Sequence, residues 1–188
     1  MSGIEVAPIP VAPARYGRVA QLLHWLTAVL VVAGFTLGPG GSEERVYSAA
    51  HDVDRPIHET IGLCVLALVL VRLAWRRIEP PPPLPRMHVA LRVLARTFHA
   101  AFYVLLAIVP LTAIAGAWLE GHPLTVLGGL TVGPWVAESH DAGAQVARIH
   151  KLLGDVLIWL AGFHAAAALF HHFVLRDGVL RAMLPGRR

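Results

Sequence analysis

Charge is what this sequence most lacks: only 15% of its 188 residues are Asp, Glu, Lys or Arg, while 56% are hydrophobic. An ordinary soluble domain carries roughly 25% charged residues, so water is not the main solvent of this chain. Cysteine is almost absent as well. Cys64 stands alone inside an apolar run, which excludes an internal disulfide framework, a CxxC redox pair, a cysteine-bound metal cluster and covalent cofactor attachment through CxxCH. No long basic block is present either; the net charge of +4 comes from arginines at the ends of apolar runs, a mark of membrane topology rather than of nucleic-acid binding. The N-terminus lacks a basic start followed by an apolar core. Ile4 to Pro13 holds three prolines and an acid, so residues 1–14 read as a flexible arm and not as a cleaved signal peptide.

What is present in quantity is apolar sequence. At about 20 residues per span, the chain has room for roughly four transmembrane helices and no separate soluble domain of typical size. Four runs fill that room: about 19–37, closed by Gly38-Pro39-Gly40-Gly41; about 57–75, opened after Arg55-Pro56 and stopped at Arg76-Arg77; about 98–119, with Pro110 as an internal kink; and about 146–175. The expected fold is an all-α membrane protein, a four-transmembrane-helix bundle over residues 15–185 with a short basic tail at 186–188. Arg72, the lone charge within the second run, is near enough to its end to snorkel to the headgroups. Leu124 to Val136 is apolar but too short to span, and its glycines point to a hairpin or short helix on the membrane surface. No repeat at a solenoid period is present.

Four spans put both termini on one side. The N-terminal arm, the link between spans two and three, and the tail together hold twelve of the sixteen basic residues. The opposite segments hold only Arg45, Arg55, Arg148 and Lys151, beside seven acids. The positive-inside rule therefore places both termini in the cytoplasm.

An ionisable side chain inside a span is a functional-site hypothesis by default. Four histidines qualify: His24 near the inner end of span one, His58 at the outer end of span two, and His150 and His164 in span four. The last two are fourteen residues apart, nearly four helical turns and roughly 21 Å of depth, so both leave the same face. Depth then pairs His24 with His164 on the inner side and His58 with His150 on the outer side. Two imidazoles facing each other between helices are what a six-coordinate haem iron requires, and bundle cores are where such sites are built. Gly62, Gly154, Gly162 and Ala165 to Ala168 leave room for a flat macrocycle, or equally for close helix packing. Zinc is the weaker reading, because its usual ligand spacings and supporting carboxylates are missing. His171 shares roughly the face of His164 and is the rival inner ligand. His99 reads as interfacial, and His51, His88, His122 and His140 as loop residues facing solvent.

These stretches carry a family resemblance. QLLHWL around His24, RPIHETIG around His58 followed by VLVRLAWR, ARIHKLLGD around His150 and LAGFHAAAALFHHF around His164 are similar to the bacterial cytochrome b561 family over about Arg15 to Pro185. The resemblance implies two haem b groups with His24, His58, His150 and His164 as axial ligands, a bacterial inner-membrane location, and electron transfer between membrane quinone and a partner. At least one member of that family is known as a superoxide oxidase, taking an electron from periplasmic superoxide and reducing ubiquinone, an activity that the resemblance alone implies here. Ile149 and Lys151 depart from the aromatic residue and the acid that members often place on either side of the first histidine of span four.

If superoxide is the donor, Arg55, Arg148 and Lys151 form a positive mouth over the outer haem, against the alternative that they pair with carboxylates or mark the headgroup boundary. Quinone would enter from the lipid beside a haem, among side chains such as Trp159. Two other functions remain open at this stage: an electron relay serving a separate dehydrogenase, hydrogenase or soluble cytochrome as protein redox partner, and a non-redox transporter or sensor with polar intramembrane histidines.

Overall fold

The computed structural model describes residues 15–39, 46–83 and 88–186. The expected arm at 1–14 and residues 187–188 of the tail lie outside the described residues, as do Arg45 and Arg86 of the charge count.

Helix α1 spans Arg18–Thr36 and stops where Gly38 and Pro39 cannot continue it. Helix α2, Asp54–Ile78, opens with Pro56 in its first turn, where the missing N–H costs nothing. Its acidic start at Asp54 and basic end at Arg76 and Arg77 complement the helix dipole. Helix α3, Val89–Leu119, contains Pro110. It begins well before Phe98, where hydropathy alone starts the span, because the turns before Phe98 alternate apolar residues with Arg92 and Arg96 and still form helix. Helix α4, His140–Phe170, runs on into a π turn at His171–Leu175. All four helices are long and apolar enough to cross a membrane.

The four helices pack unevenly. Helix α1 lies against α2, α2 against α3, and α3 along much of α4, whereas α1 and α4 meet over a short stretch and α2 and α4 hardly touch. Val65, Val69, Leu105, Leu106 and Leu157 form the buried core. Leu157 lies halfway in sequence between His150 and His164, so this apolar plug sits at mid-depth. Large apolar side chains such as Leu22, Val29, Leu70, Val104, Trp159 and Phe163 point outward, the arrangement that a lipid solvent favours.

The two ends of the bundle are closed differently. At one end the segment after α3 forms a β-hairpin, with β1 (Leu124–Thr125) antiparallel to β2 (Thr131–Val132) around Gly128 and Gly129. Of the two forms expected from sequence, the hairpin is the one adopted. At the other end the chain turns at Arg176, whose φ of 52° is left-handed, and forms the short helix α5, Val179–Met183. Carbonyls at the end of α5 are taken up by the start of α1: Gln21 Nε2 donates to Ala182 at 3.1 Å, Trp25 Nε1 to Met183 at 2.9 Å and Arg15 to Leu184 at 2.7 Å. Helix ends otherwise leave such carbonyls unmet.

Asp177 pins this returning tail. Burial pushes its carboxyl up, but the His171 ring at 2.5 Å and the Val179 amide at 3.1 Å outweigh that and hold it below its ordinary value of 3.8. A carboxyl depressed in the folded state contributes stability above its unfolded pKa and loses it as pH falls through the folded value. Hydrogen-exchange protection of Val179–Met183 is therefore expected to drop as pH falls below the ordinary carboxyl value of 3.8 and to do so less in Asp177→Asn. Equal pH dependence in both proteins would refute the pin.

Candidate functional site

The face of α4 that repeats after fourteen residues brings two histidines to two different partners. At the hairpin end the ring centres of His58 and His150 are 6.1 Å apart. At the tail end those of His24 and His164 are 6.3 Å apart. A metal stands about 2 Å from a ligating imidazole nitrogen, and that nitrogen about 1 Å from its ring centre, so two imidazoles on opposite sides of one iron hold their centres about 6 Å apart. Both pairs have that separation.

At the hairpin end the free nitrogens are also fixed. His58 Nδ1 lies 2.8 Å from the Gly34 carbonyl and His150 Nδ1 2.9 Å from the Val109 carbonyl. A carbonyl only accepts, so each Nδ1 carries the proton and each Nε2 keeps its lone pair for a metal. Gly38 allows the His58 ring its place, since a side chain there would start 3.1 Å from it. Between the helices lies a cavity of about 900 Å³, lined by His58, His150 and apolar residues including Leu30, Val65, Leu106 and Leu157. Cofactor sites range over about 300–1,000 Å³. Arg55 also lines the cavity, and its Nε is buried with no acceptor among the described residues, a donor suited to a carboxylate-bearing guest. Gly154 in the same wall has open space where a side chain would be. The donor set, the spacing and the cavity all fit a haem with its propionates.

The tail-end pair has a third histidine beside it. His99 of α3 sits 6.2 Å from His164, ring centre to ring centre, and Phe102 sits 5.2 Å from it. Distance alone would let His99 replace His24, but helix packing decides otherwise. Helices α3 and α4 lie against each other and leave no slot for a macrocycle, whereas α1 and α4 stand apart over most of their length. The interfacial reading of His99 followed from starting the span at Phe98; with α3 beginning at Val89, His99 lies well inside the helix. His171 is occupied by Asp177 and takes no part in the pair.

Arg72 does not simply snorkel outward. It is half-buried with its guanidinium 5.7 Å from the centre of the Tyr103 ring, and Arg76 approaches the same ring at 5.5 Å. The loop histidines also do more than face solvent. His51 bonds Asp54 at 2.6 Å, His140 meets Glu138 at 2.8 Å, His122 stacks on Tyr47 at 3.5 Å, and His88 caps α3 by accepting from Ala90. Trp159 faces outward beside Phe163.

Of the three cations expected over the outer site, all line the cavity, but so do Glu59, Glu120 and Asp155. Arg55 is paired with Glu59 at 3.1 Å and packs over Tyr47; Arg148 and Lys151 are exposed. Glu59 also accepts from the Thr125 backbone at 2.5 Å, and Thr60 accepts from Leu127 at 3.0 Å, so the hairpin is docked on α2 beside His58.

The sequence profile of the prokaryotic cytochrome b561 family matches residues 15–186. This chain belongs to that family. Cytochrome b561 homolog 2 of Escherichia coli K12 is 33% identical over 176 residues, covering 92% of each chain. Cytochrome b561 homolog 1 of the same organism is 28% identical, covering 93% of this chain and 99% of that one. A protein named probable superoxide oxidase CybB, from Yersinia pestis, is also 28% identical, over 93% of this chain and 98% of its own. Family membership makes the chain a membrane electron-transfer protein of a b-type haem family, a helical bundle as the fold shows. The non-redox transporter or sensor is thereby set aside.

Removing Glu59 tests how firmly the hairpin covers the cavity. Glu59→Ala strands both the Thr125 N–H and the Arg55 guanidinium, at a cost of about 1–3 kcal/mol. Faster amide exchange at Thr125 and Leu127 with unchanged helix content is expected; unaltered exchange would show that the hairpin is held by other contacts.

Proposed function

We propose that this cytochrome b561 holds two haem b groups, one between His24 and His164 and one between His58 and His150, and that it carries electrons from periplasmic superoxide to ubiquinone. The tail end, with both termini, then faces the cytoplasm of a bacterial inner membrane, as the arginine distribution supports. The observation that carries the reading is the pair of matched imidazole couples, 6.1 and 6.3 Å between ring centres, at opposite ends of one helix face. Haem supplies an iron that accepts and passes on one electron at a time.

The residues of the chain do the rest. The Gly34 and Val109 carbonyls hold the outer imidazoles in the tautomer that ligates. Arg55 offers its Nε–H to a propionate. The docked hairpin narrows the entry to the outer cavity. Arg148 and Lys151, exposed at the rim of a wall that also carries Glu120 and Asp155, attract an anion locally; Arg55, paired with Glu59, contributes little net field. Two superoxide anions each lose one electron and leave as dioxygen, while one ubiquinone gains two electrons and two protons to become ubiquinol. The substrate assignment rests on similarity to the Yersinia protein's name and on this rim, the ligand assignment on the geometry.

Purified protein is expected to show a reduced b-type α-band with two haems per chain, and His58→Ala or His150→Ala to lose the outer one. Mixing with superoxide in a stopped-flow instrument should reduce the haems and, with ubiquinone present, yield ubiquinol. The double change Arg148→Gln and Lys151→Gln should slow that reduction about 3- to 10-fold at low salt and much less at high salt. Haem that stays oxidised in superoxide but is reduced by a protein donor would replace the oxidase by an electron relay.

A further inference from the structure

The spacing that gives α4 two histidines is repeated on α2, where the residue fourteen positions after His58 is Arg72. Nearly four turns separate them, so Arg72 leaves the same face at the depth of His24 and His164. Its charge is within electrostatic reach of both histidines. A cation this far inside a span is costly and is ordinarily drawn toward the headgroups. Here the Tyr103 ring holds it, with Arg76 on the same ring and 3.4 Å from the Tyr103 hydroxyl.

Neither guanidinium has a carboxylate partner among the described residues. Among the described residues the acids at that end bond other donors and neither guanidinium: Glu79 accepts from Trp75 Nε1 at 3.0 Å, and Asp177 from His171 and Val179. The hairpin end differs, since its cavity wall balances Arg55, Arg148 and Lys151 with Glu59, Glu120 and Asp155. Arg72 and Arg76 thus stand beside the tail-end pair with no carboxylate bonded to them, whereas the hairpin-end cavity sets acids beside its cations.

Resting on the two-haem reading above, we infer that Arg72 is the positioning residue that sets the inner haem at a more positive potential than the outer one, so that electrons run from the hairpin end to the tail end. Reduction removes one positive charge from the iron, and a fixed cation in a low-dielectric bundle favours the less positive state. Haems held by these two histidine pairs would supply one-electron chemistry, an electron lost at the hairpin-end site being gained at the tail-end site with no proton needed.

The test is a potentiometric titration of the purified holoprotein followed at the α-band, with His164→Ala identifying which component belongs to the inner site. Arg72→Gln is expected to move the inner midpoint to more negative potential and leave the outer one in place. Arg72→Lys should retain the wild-type value, and Arg76→Gln, at the exposed edge, should move it the same way by less. If Arg72→Gln does not assemble with both haems, Arg76→Gln decides: a negative shift of the inner midpoint supports the inference and an unmoved one overturns it. Wild-type protein that titrates with two haems while both midpoints ignore Arg72→Gln would overturn the inference and leave the two-haem reading intact. Protein with one haem or none would instead remove the reading on which it rests.

Discussion

An α-helix returns to almost the same face after fourteen residues, and this bundle is organised around that return. On α4 it places His150 and His164 on one side of a single rigid element, roughly 21 Å apart in depth. Leu157 lies halfway between them in sequence and belongs to the buried core with Val65, Val69, Leu105 and Leu106. The two polar sites are therefore divided by a dry apolar plug, and neither can drift along the bundle without pulling α4 out of register. Helices α1 and α2 supply the opposing rings, and they stand away from α4. The gap is as much a part of the design as the contacts, because a planar guest needs helices that face each other without interlocking.

Lipid as solvent explains why so much of this was legible in the sequence. A membrane span must be apolar over its whole length, so four spans stand out from composition without any helical periodicity. The same solvent makes each interior histidine conspicuous, and counting residues from the span ends gives its depth. That logic found His24, His58, His150 and His164 and their partners as the structure juxtaposes them. It failed where the solvent changes. At the interface, helix continues without being apolar, so α3 begins at Val89, before the apolar run that starts at Phe98, and the place of the His99 ring beside His164 had no signal. The loop histidines were invisible as partners because Asp54, Glu138 and Tyr47 lie in polar segments with no period to align them. The tail's return onto Gln21 and Trp25 had no signal, since backbone carbonyls look alike in any sequence.

The carbonyls that orient the rings were hidden for the same reason. Gly34 and Val109 are anonymous in sequence, yet their oxygens bind Nδ1 of His58 and His150. Gly34 lies in the last turn of α1, where carbonyls lack an intrahelical partner, and the Val109 oxygen also accepts from Thr112 Oγ1 at 2.7 Å. The orientation of each ring is thus set by a backbone carbonyl on a neighbouring helix, which periodicity cannot report.

Charge shows a further asymmetry. The rim at the hairpin end was expected to be positive, and its cations are present, but Glu59 neutralises Arg55 while drawing the hairpin onto α2. One carboxylate thereby serves two structural purposes and removes one of three cations from any long-range field. At the tail end the reverse holds, because Glu79 and Asp177 are occupied by Trp75, His171 and Val179. Arg72 and Arg76, two of the arginines that mark the topology, have no carboxylate partner among the described residues and lie beside the histidines. Their retention at depth, held by Tyr103 rather than released to the headgroups, is what converts a topological signal into a local field. Two sites built from the same pair of imidazoles would need such a difference if electrons were to favour one direction.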